Sequence, residues 1–414
     1  MIRLLYYPVL LGFLLKNYKN KKDVLNPVFI TYTIWFIFPL FYDIMCCISE
    51  GYHELSFRFF AVVTFFLILF TFFFTLAYRG TKQRNVRMVG FKFPRLDKEK
   101  LIAFVFVVNV LYVYSIFRLC KTSSVIMVIN KYRLISLTQP QLITKPITIL
   151  ETLSYLIVPM IAHMLVYENK YSKGTRILLT GVYFVVPVVV ASKASLLKRL
   201  VIFVSCIYAT KKKKKPPVFL MIGIVTVLLM FLIISRDHVK VNGGGTSGSL
   251  TSYMFGYVFS SIPAFDMLLN GEILVSTAIP GERSFYFWFL LLSKMGFCNR
   301  PIDYKDMYTV PVPGGEAYTN VFTGMGPYFI DFGLIGVLVF ALLSGILFGF
   351  VYKKYRCDSS PFFFITYLVL VYGLVFQYFG DMIFVYIVST IIDIISIYIV
   401  MKVFCDEKEK MVGT

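Results

Sequence analysis

The run VVVASKASLLKRLVIF, residues 188–203, places Lys193, Lys198 and Arg199 inside an otherwise apolar stretch that extends from about Ile177 to Cys206. Charge in such surroundings is costly, so it asks for a negative partner. Other cations stand in the segments NKYRL (Arg133), PGERSF (Arg283) and CNRP (Arg300), and Arg236 follows directly on an apolar run. A guanidinium offers a planar fork to phosphate oxygens and keeps its charge when partly desolvated. Four arginines and Lys193 on one face of a membrane would suit a pyrophosphate whose lipid tail brings it in from the side. The plainer reading is that Lys198 and Arg199 stretch their apolar stems toward the interface, and that some of the arginines pair with Asp237, Glu282 or Asp303. On a helix, Lys198 and Arg199 fall on a different face from Lys193.

Other chemistries find no residues to carry them. There are three histidines (His53, His163, His238) and seven scattered cysteines without a CxxC spacing, so no zinc or iron site is expected and no metal or other cofactor is assigned. No GxxxxGK[ST] loop and no Asp-x-Asp pair is present, which argues against nucleotide chemistry. Basic runs are short and tied to helix ends, so no nucleic-acid partner is expected. Aromatic clusters at Tyr253, Phe255, Tyr257 and Phe259, and from Phe285 to Phe289, could stack on sugar faces. An interfacial belt or loop core is the commoner use of such residues.

The elements that must hold these residues are membrane helices. The chain has 414 residues, of which 58% are hydrophobic, with a mean hydropathy of +0.75. Nearly uncharged windows of spanning length succeed one another, the mark of an all-α polytopic membrane protein. Apolar windows predict eleven transmembrane helices, near 3–15, 28–48, 58–78, 101–120, 147–167, 176–191, 196–210, 217–235, 326–351, 361–379 and 382–404. The net charge of +20 then reports topology, because the basic connections fall on one side and carry most of the 42 lysines and arginines. That side is the cytoplasm, which puts the N-terminus outside and the C-terminus inside. The first helix reads as a retained anchor. The expected division is a transmembrane bundle at 1–235, a large outer loop at 236–325 and C-terminal helices with a tail at 326–414. The loop opens on a glycine-rich polar stretch and contains two apolar segments too short to span, expected as interfacial or re-entrant helices. The helices near 176–191 and 196–210 have about fifteen apolar residues each, roughly 22 Å against a core of about 30 Å, so their joining turn at Lys193 should end below the outer headgroups.

One segment carries a resemblance. GGEAYTNVFTGMGPYFIDFGLIGVLVFALLSGILFGFVYKKY, residues 314–355, runs from a Gly-rich turn through Thr319 to Asp331-Phe332-Gly333 and Gly336, entering a long helix that ends in basic residues. With the helix count, the late outer loop and the SKASLL turn, it resembles the oligosaccharide repeat-unit polymerases, the O-antigen polymerase (Wzy) family. The resemblance implies a metal-independent glycosyltransferase of GT-C-like fold in a bacterial plasma (inner) membrane. Such an enzyme moves a growing glycan from undecaprenyl pyrophosphate to the sugar of another lipid-linked repeat unit on the outer (periplasmic) face, and works with a chain-length regulator. Carried onto this chain, the matching positions are Lys193, Arg236, Arg283, Tyr318, Thr319 and Asp331. Lys193 stands where family members more often carry arginine. Fixed cations there would stabilise the charge on the departing pyrophosphate. A base for the acceptor hydroxyl would be His238 or Glu316, with Asp331 third and better placed to anchor the helix entry. The rivals are an O-antigen ligase, a lipid-linked oligosaccharide flippase and a membrane scaffold. A flippase has little use for ninety residues on one side.

Overall fold

The computed structural model describes residues 2–21, 23–48, 52–79, 98–166, 171–190, 192–210, 256, 258–275, 277, 279–299, 307–312, 315–357 and 361–404. In chain order the helices begin with α1 (Ile2–Lys21), α2 (Pro27–Ile48), α3 (Phe57–Arg79), α4 (Lys98–Cys120), α5 (Val125–Thr138), α6 (Lys145–Ser154), α7 (Ile157–Val166), α8 (Lys173–Val189) and α9 (Lys193–Thr210). There follow α10 (Ser261–Asn270), α11 (Tyr286–Lys294), the strands β1 (Tyr308–Val312) and β2 (Gly315–Thr319), then α12 (Gly326–Phe332), α13 (Leu334–Cys357), α14 (Pro361–Val375) and α15 (Ile387–Phe404). Among the described residues, five segments are long and apolar enough to cross a membrane: Pro27–Ile48, Phe57–Arg79, Glu99–Cys120, Lys145–Leu165 and Leu334–Arg356. Leu5–Lys16 and Phe362–Tyr378 are shorter apolar helices. The expected span at 217–235 lies outside the described residues.

The chain divides into two compact units. The first comprises residues 1–83, 239–354 and 372–390. Its centre is α3, whose Phe66, Phe70 and Phe74 are buried one turn apart. Against this row α13 presents glycine: a Cβ on Gly345 would stand 2.8 Å from the Phe73 Cβ and 3.0 Å from the Phe70 carbonyl oxygen. A Cβ on Gly349 would stand 2.7 Å from the Phe74 carbonyl oxygen. The spacing is GxxxG, which lets two backbones touch where lipid supplies no hydrophobic drive between helices. At one end of this unit the Tyr352 hydroxyl donates to Asp23 (2.6 Å), and Asn26 accepts from the Val28 amide (3.0 Å) to cap α2. At the other end, Asp266 of α10 gathers the connection between α2 and α3. It accepts from the Ser56 amide (2.8 Å) and hydroxyl, and His53 Nε2 lies 2.8 Å away. The 22–26 connection and the exit of α13 thus share one end, and the 52–56 connection and α10 share the other, as alternating spans require.

The second unit comprises residues 84–238, 355–371 and 391–414. Its core joins Tyr112 and Ile116 of α4, Val128 and Tyr132 of α5, Ile147 of α6 and Val186 of α8. The amphipathic segment expected within 121–146 forms α5 and a following 3-10 turn, Pro140–Leu142.

Four expected helices differ from their outlines. The stretch 147–167 is kinked between α6 and α7: Pro159 has no N–H to give, and the turn tightens to i→i+3 bonds from Leu156 to Leu153 and from Val158 to Tyr155. The stretch 326–351 breaks at Gly333, whose φ of +59° and ψ of −139° suit glycine alone, and a Cβ on Gly336 would fall on the Tyr328 carbonyl. The stretch 361–379 ends at Val375 in a 3-10 turn, Phe376–Tyr378. The stretch 382–404 starts its helix at Ile387, because the Asp381 carboxylate takes the amides of Ile383 (2.9 Å), Phe384 (3.0 Å) and Val385 (3.2 Å) in a turn of its own. The segment expected as the large outer loop also contains an antiparallel hairpin that apolar-window reading did not anticipate, pairing Tyr308 with Thr319 and Val312 with Gly315.

Candidate functional site

Arg283 sits in a tight turn, residues 281–285, that enters α11. Gly281 makes the turn possible with φ +90°, and a Cβ there would meet the Phe332 ring at 3.2 Å. The turn is fastened to α12 by Asp331, whose Oδ2 accepts from the Ser284 amide and the Ser284 hydroxyl, each at 2.7 Å. Two expected site residues 48 positions apart are therefore brought together, three residues before Leu334, where a candidate span starts. Burial pushes the Asp331 carboxyl above its usual range, against the lowering effect of the Ser284 hydrogen bonds and of Arg283. Among the described residues the other carboxyl oxygen, Oδ1, has no hydrogen-bond partner. Asp331, expected to anchor the entry of the long helix, instead ties the 281–285 turn to α12 through the hydrogen bonds it accepts from Ser284.

The hairpin sorts the next three expected residues by face. Strand alternation buries Val310, Val312 and Ala317 and leaves Glu316 and Tyr318 exposed, side by side on the open face. The buried face rests on Gly256, where an added Cβ would meet that of Ala317 at 2.7 Å. Thr319 turns inward: its hydroxyl accepts from the Val321 amide (3.1 Å), so it shapes the turn that follows β2. Glu316 and Tyr318 are free to face a ligand in the way that Thr319 is not.

Lys193 is the first residue of α9, one position past a short turn in which Ser192 donates its amide to the Pro187 carbonyl (3.0 Å). It opens a helix and does not lie within the turn. Arg133 lies in the third turn of α5. The side chains of Lys193 and Arg133 are not described, and Arg236, His238 and Arg300 lie outside the described residues. Lys198 and Arg199 do not snorkel. Lys198 Nζ stands 2.5 Å from Asp393 Oδ2 of α15, a carboxylate with 0% exposure. Arg199, 4% exposed, donates to the Tyr183 carbonyl, and the Tyr183 hydroxyl donates back to the Arg199 carbonyl (2.8 Å). Its guanidinium carbon lies 5.2 Å from the Tyr183 ring centre. Interior partners outbid the interface because they lie within reach of both heads.

The acidic partners are what sequence reading passed over. Asp393 is a lone acid in IVSTIIDIISIYIV, and a carboxylate in an apolar run is itself a signal. Asp266 and Asp381 have no such mark, since their partners His53, Ser56 and Tyr328 are distant in sequence (Tyr328 hydroxyl to Asp381, 2.8 Å). Thr323, buried with φ +62°, is a strained non-glycine position, held where Gly324 donates to the Gln377 carbonyl (2.7 Å). Among the described residues no group of three His, Cys, Asp or Glu side chains could hold a metal ion. Comparison with family models, with curated proteins and with solved structures gave no match to this chain.

Proposed function

We propose that this protein is a metal-independent glycosyltransferase that polymerises lipid-linked oligosaccharide repeat units. It transfers a growing glycan from undecaprenyl pyrophosphate to the sugar of a second lipid-linked unit on the outer face of a bacterial plasma membrane. In this reading the chain has eleven spans in a GT-C-like arrangement, with the N-terminus outside and the C-terminus inside. α10, α11 and the hairpin belong to the outer segment, and a chain-length regulator is the protein partner. Arg283, Arg236 and Lys193 are the cations proposed to stabilise the negative charge that builds on the departing pyrophosphate. Glu316 or His238 takes the acceptor proton, and Asp331 holds the Arg283 turn in place. The observation that supports the reading is the fastening of the Arg283 turn to Asp331, through the Ser284 amide and hydroxyl, three residues before the Leu334–Arg356 segment.

Deleting the gene and running surface glycolipids on a gel tests it. A ladder that collapses to lipid carrying one repeat unit supports a polymerase. Long chains stranded on the carrier lipid identify a ligase, and repeat units trapped on the cytoplasmic face identify a flippase. In the complemented strain, Arg283→Ala and Arg236→Ala should abolish the ladder at normal expression. Wild-type chain lengths in both would remove the pyrophosphate clamp.

A further inference from the structure

α4 and α8 border an open groove of about 910 Å³, at the upper end of what ligand sites offer, with Val110, Tyr114, Ile177, Leu178 and Val185 exposed along it. Its lining repeats on both helices at i, i+1, i+4, i+5, i+8 and i+9, from Asn109 to Arg118 on α4 and from Ile177 to Val186 on α8. The two helices pack together on their inner sides and diverge along these matching stripes, and Gly181 leaves open space in the groove, since a Cβ there would meet nothing within 4 Å. The walls are nonetheless firm, because Val113, Phe117 and Val182 pack onto the core of this unit. The lining is almost wholly apolar along its length. Asn109 turns its amide back on its own helix, donating to the Val105 carbonyl (2.8 Å).

Polarity is concentrated at one end. There the groove meets Arg118, Thr122 and Ser123, and no carboxylate lines any part of it. Directly after them comes the N-terminus of α5, where Ser124 makes no side-chain cap and the first turn holds no acidic residue. The first amides of a helix have no partner within it and carry partial positive charge, and Arg118 adds a full one. A long apolar trough that ends in cationic and hydroxyl donors is complementary to one kind of molecule. The trough follows the Glu99–Cys120 segment, so it opens where a bilayer supplies its own occupants.

We propose that this groove is a binding site for a membrane lipid with an anionic phosphate head, its chain lying between α4 and α8 and its phosphate at Arg118 and the start of α5. The site stands on the membrane-spanning reading and not on the glycan chemistry proposed above. The test is native mass spectrometry of the full-length protein released from detergent in equimolar phosphatidylglycerol and phosphatidylcholine. Wild type should retain phosphatidylglycerol at least several-fold over phosphatidylcholine. Arg118→Gln should erase that preference, and Gly181→Leu, which fills the gap, should erase retention of both. Gly181→Ala, with room for its methyl, should behave as wild type and shows that the helix tolerates substitution. Undecaprenyl phosphate displacing phosphatidylglycerol would also support the site and name the carrier's chain as its occupant. Equal retention of the two phospholipids by wild type, or unchanged retention by Gly181→Leu, would overturn it.

Discussion

Removing Lys198 should be far more harmful than removing Lys198 and Asp393 together. In Lys198→Met the Asp393 carboxylate stays at 0% exposure and loses its 2.5 Å partner, and its Oδ1 has no hydrogen bond among the described residues. Breaking a buried pair from one side costs about 3–5 kcal/mol; the charge of nearby Arg199 offsets part of this, giving about 3 kcal/mol, roughly a hundred-fold in the folding equilibrium. Asp393→Leu is milder, about 1–2 kcal/mol, because the lysine side chain is 13% exposed and can extend toward the interface. The double variant Lys198→Met/Asp393→Leu fills the same space with apolar atoms and should fall within about 1 kcal/mol of wild type. Reversible unfolding of the purified protein in mixed micelles, followed by circular dichroism, yields all three values and a coupling of about 3 kcal/mol. A double variant that loses the sum of the two single losses would refute the pair as an interacting unit.

Three further outcomes follow from the packing. Gly349→Leu should separate α3 from α13 and destabilise by about 2–3 kcal/mol, read as a lowered melting point in detergent, with Gly349→Ala intermediate. Gly333→Ala should cost about 1–3 kcal/mol even though its Cβ meets no neighbour, because φ +59° with ψ −139° excludes a side chain; equal stability would mean the break between α12 and α13 relaxes freely. Asp266→Ala should destabilise by about 2–4 kcal/mol and quicken hydrogen exchange at residues 52–56, since the Ser56 amide and hydroxyl and His53 lose their acceptor together.

How much of this could be read from the sequence depended on the range of the interaction. Apolar runs such as 58–78 and 101–120 located α3 and α4 closely, because burial in lipid is written in composition alone. Helix ends governed by single residues were harder: Gly333 and Pro159 divide runs that hydropathy shows as continuous. The hairpin at 308–319 is short and only half buried, so it left no hydropathy signal. At the site, Arg283 and Asp331 were both expected, but their meeting was not legible, since it rests on hydrogen bonds from Ser284 across 47 positions. Thr319 was expected to face a ligand and instead closes a turn, a distinction that strand register makes and residue type does not. The sequence leaves open whether Lys198 and Arg199 snorkel or serve a ligand: Lys198 pairs with Asp393, 195 positions away, and Arg199 with the Tyr183 backbone one helix back, neither of which residue type reveals.

The glycine notch of α13 also bears on motion. Gly345 and Gly349 lie against the α3 backbone at Phe70 and Phe74, one turn apart, so sliding either helix by one residue would drive a side chain into main chain. The two helices therefore move as one stiff strut. A change of angle between the segments is then easiest beyond the end of this pair, at Gly333, the one residue between α12 and α13, whose φ +59° and ψ −139° only glycine takes up without strain.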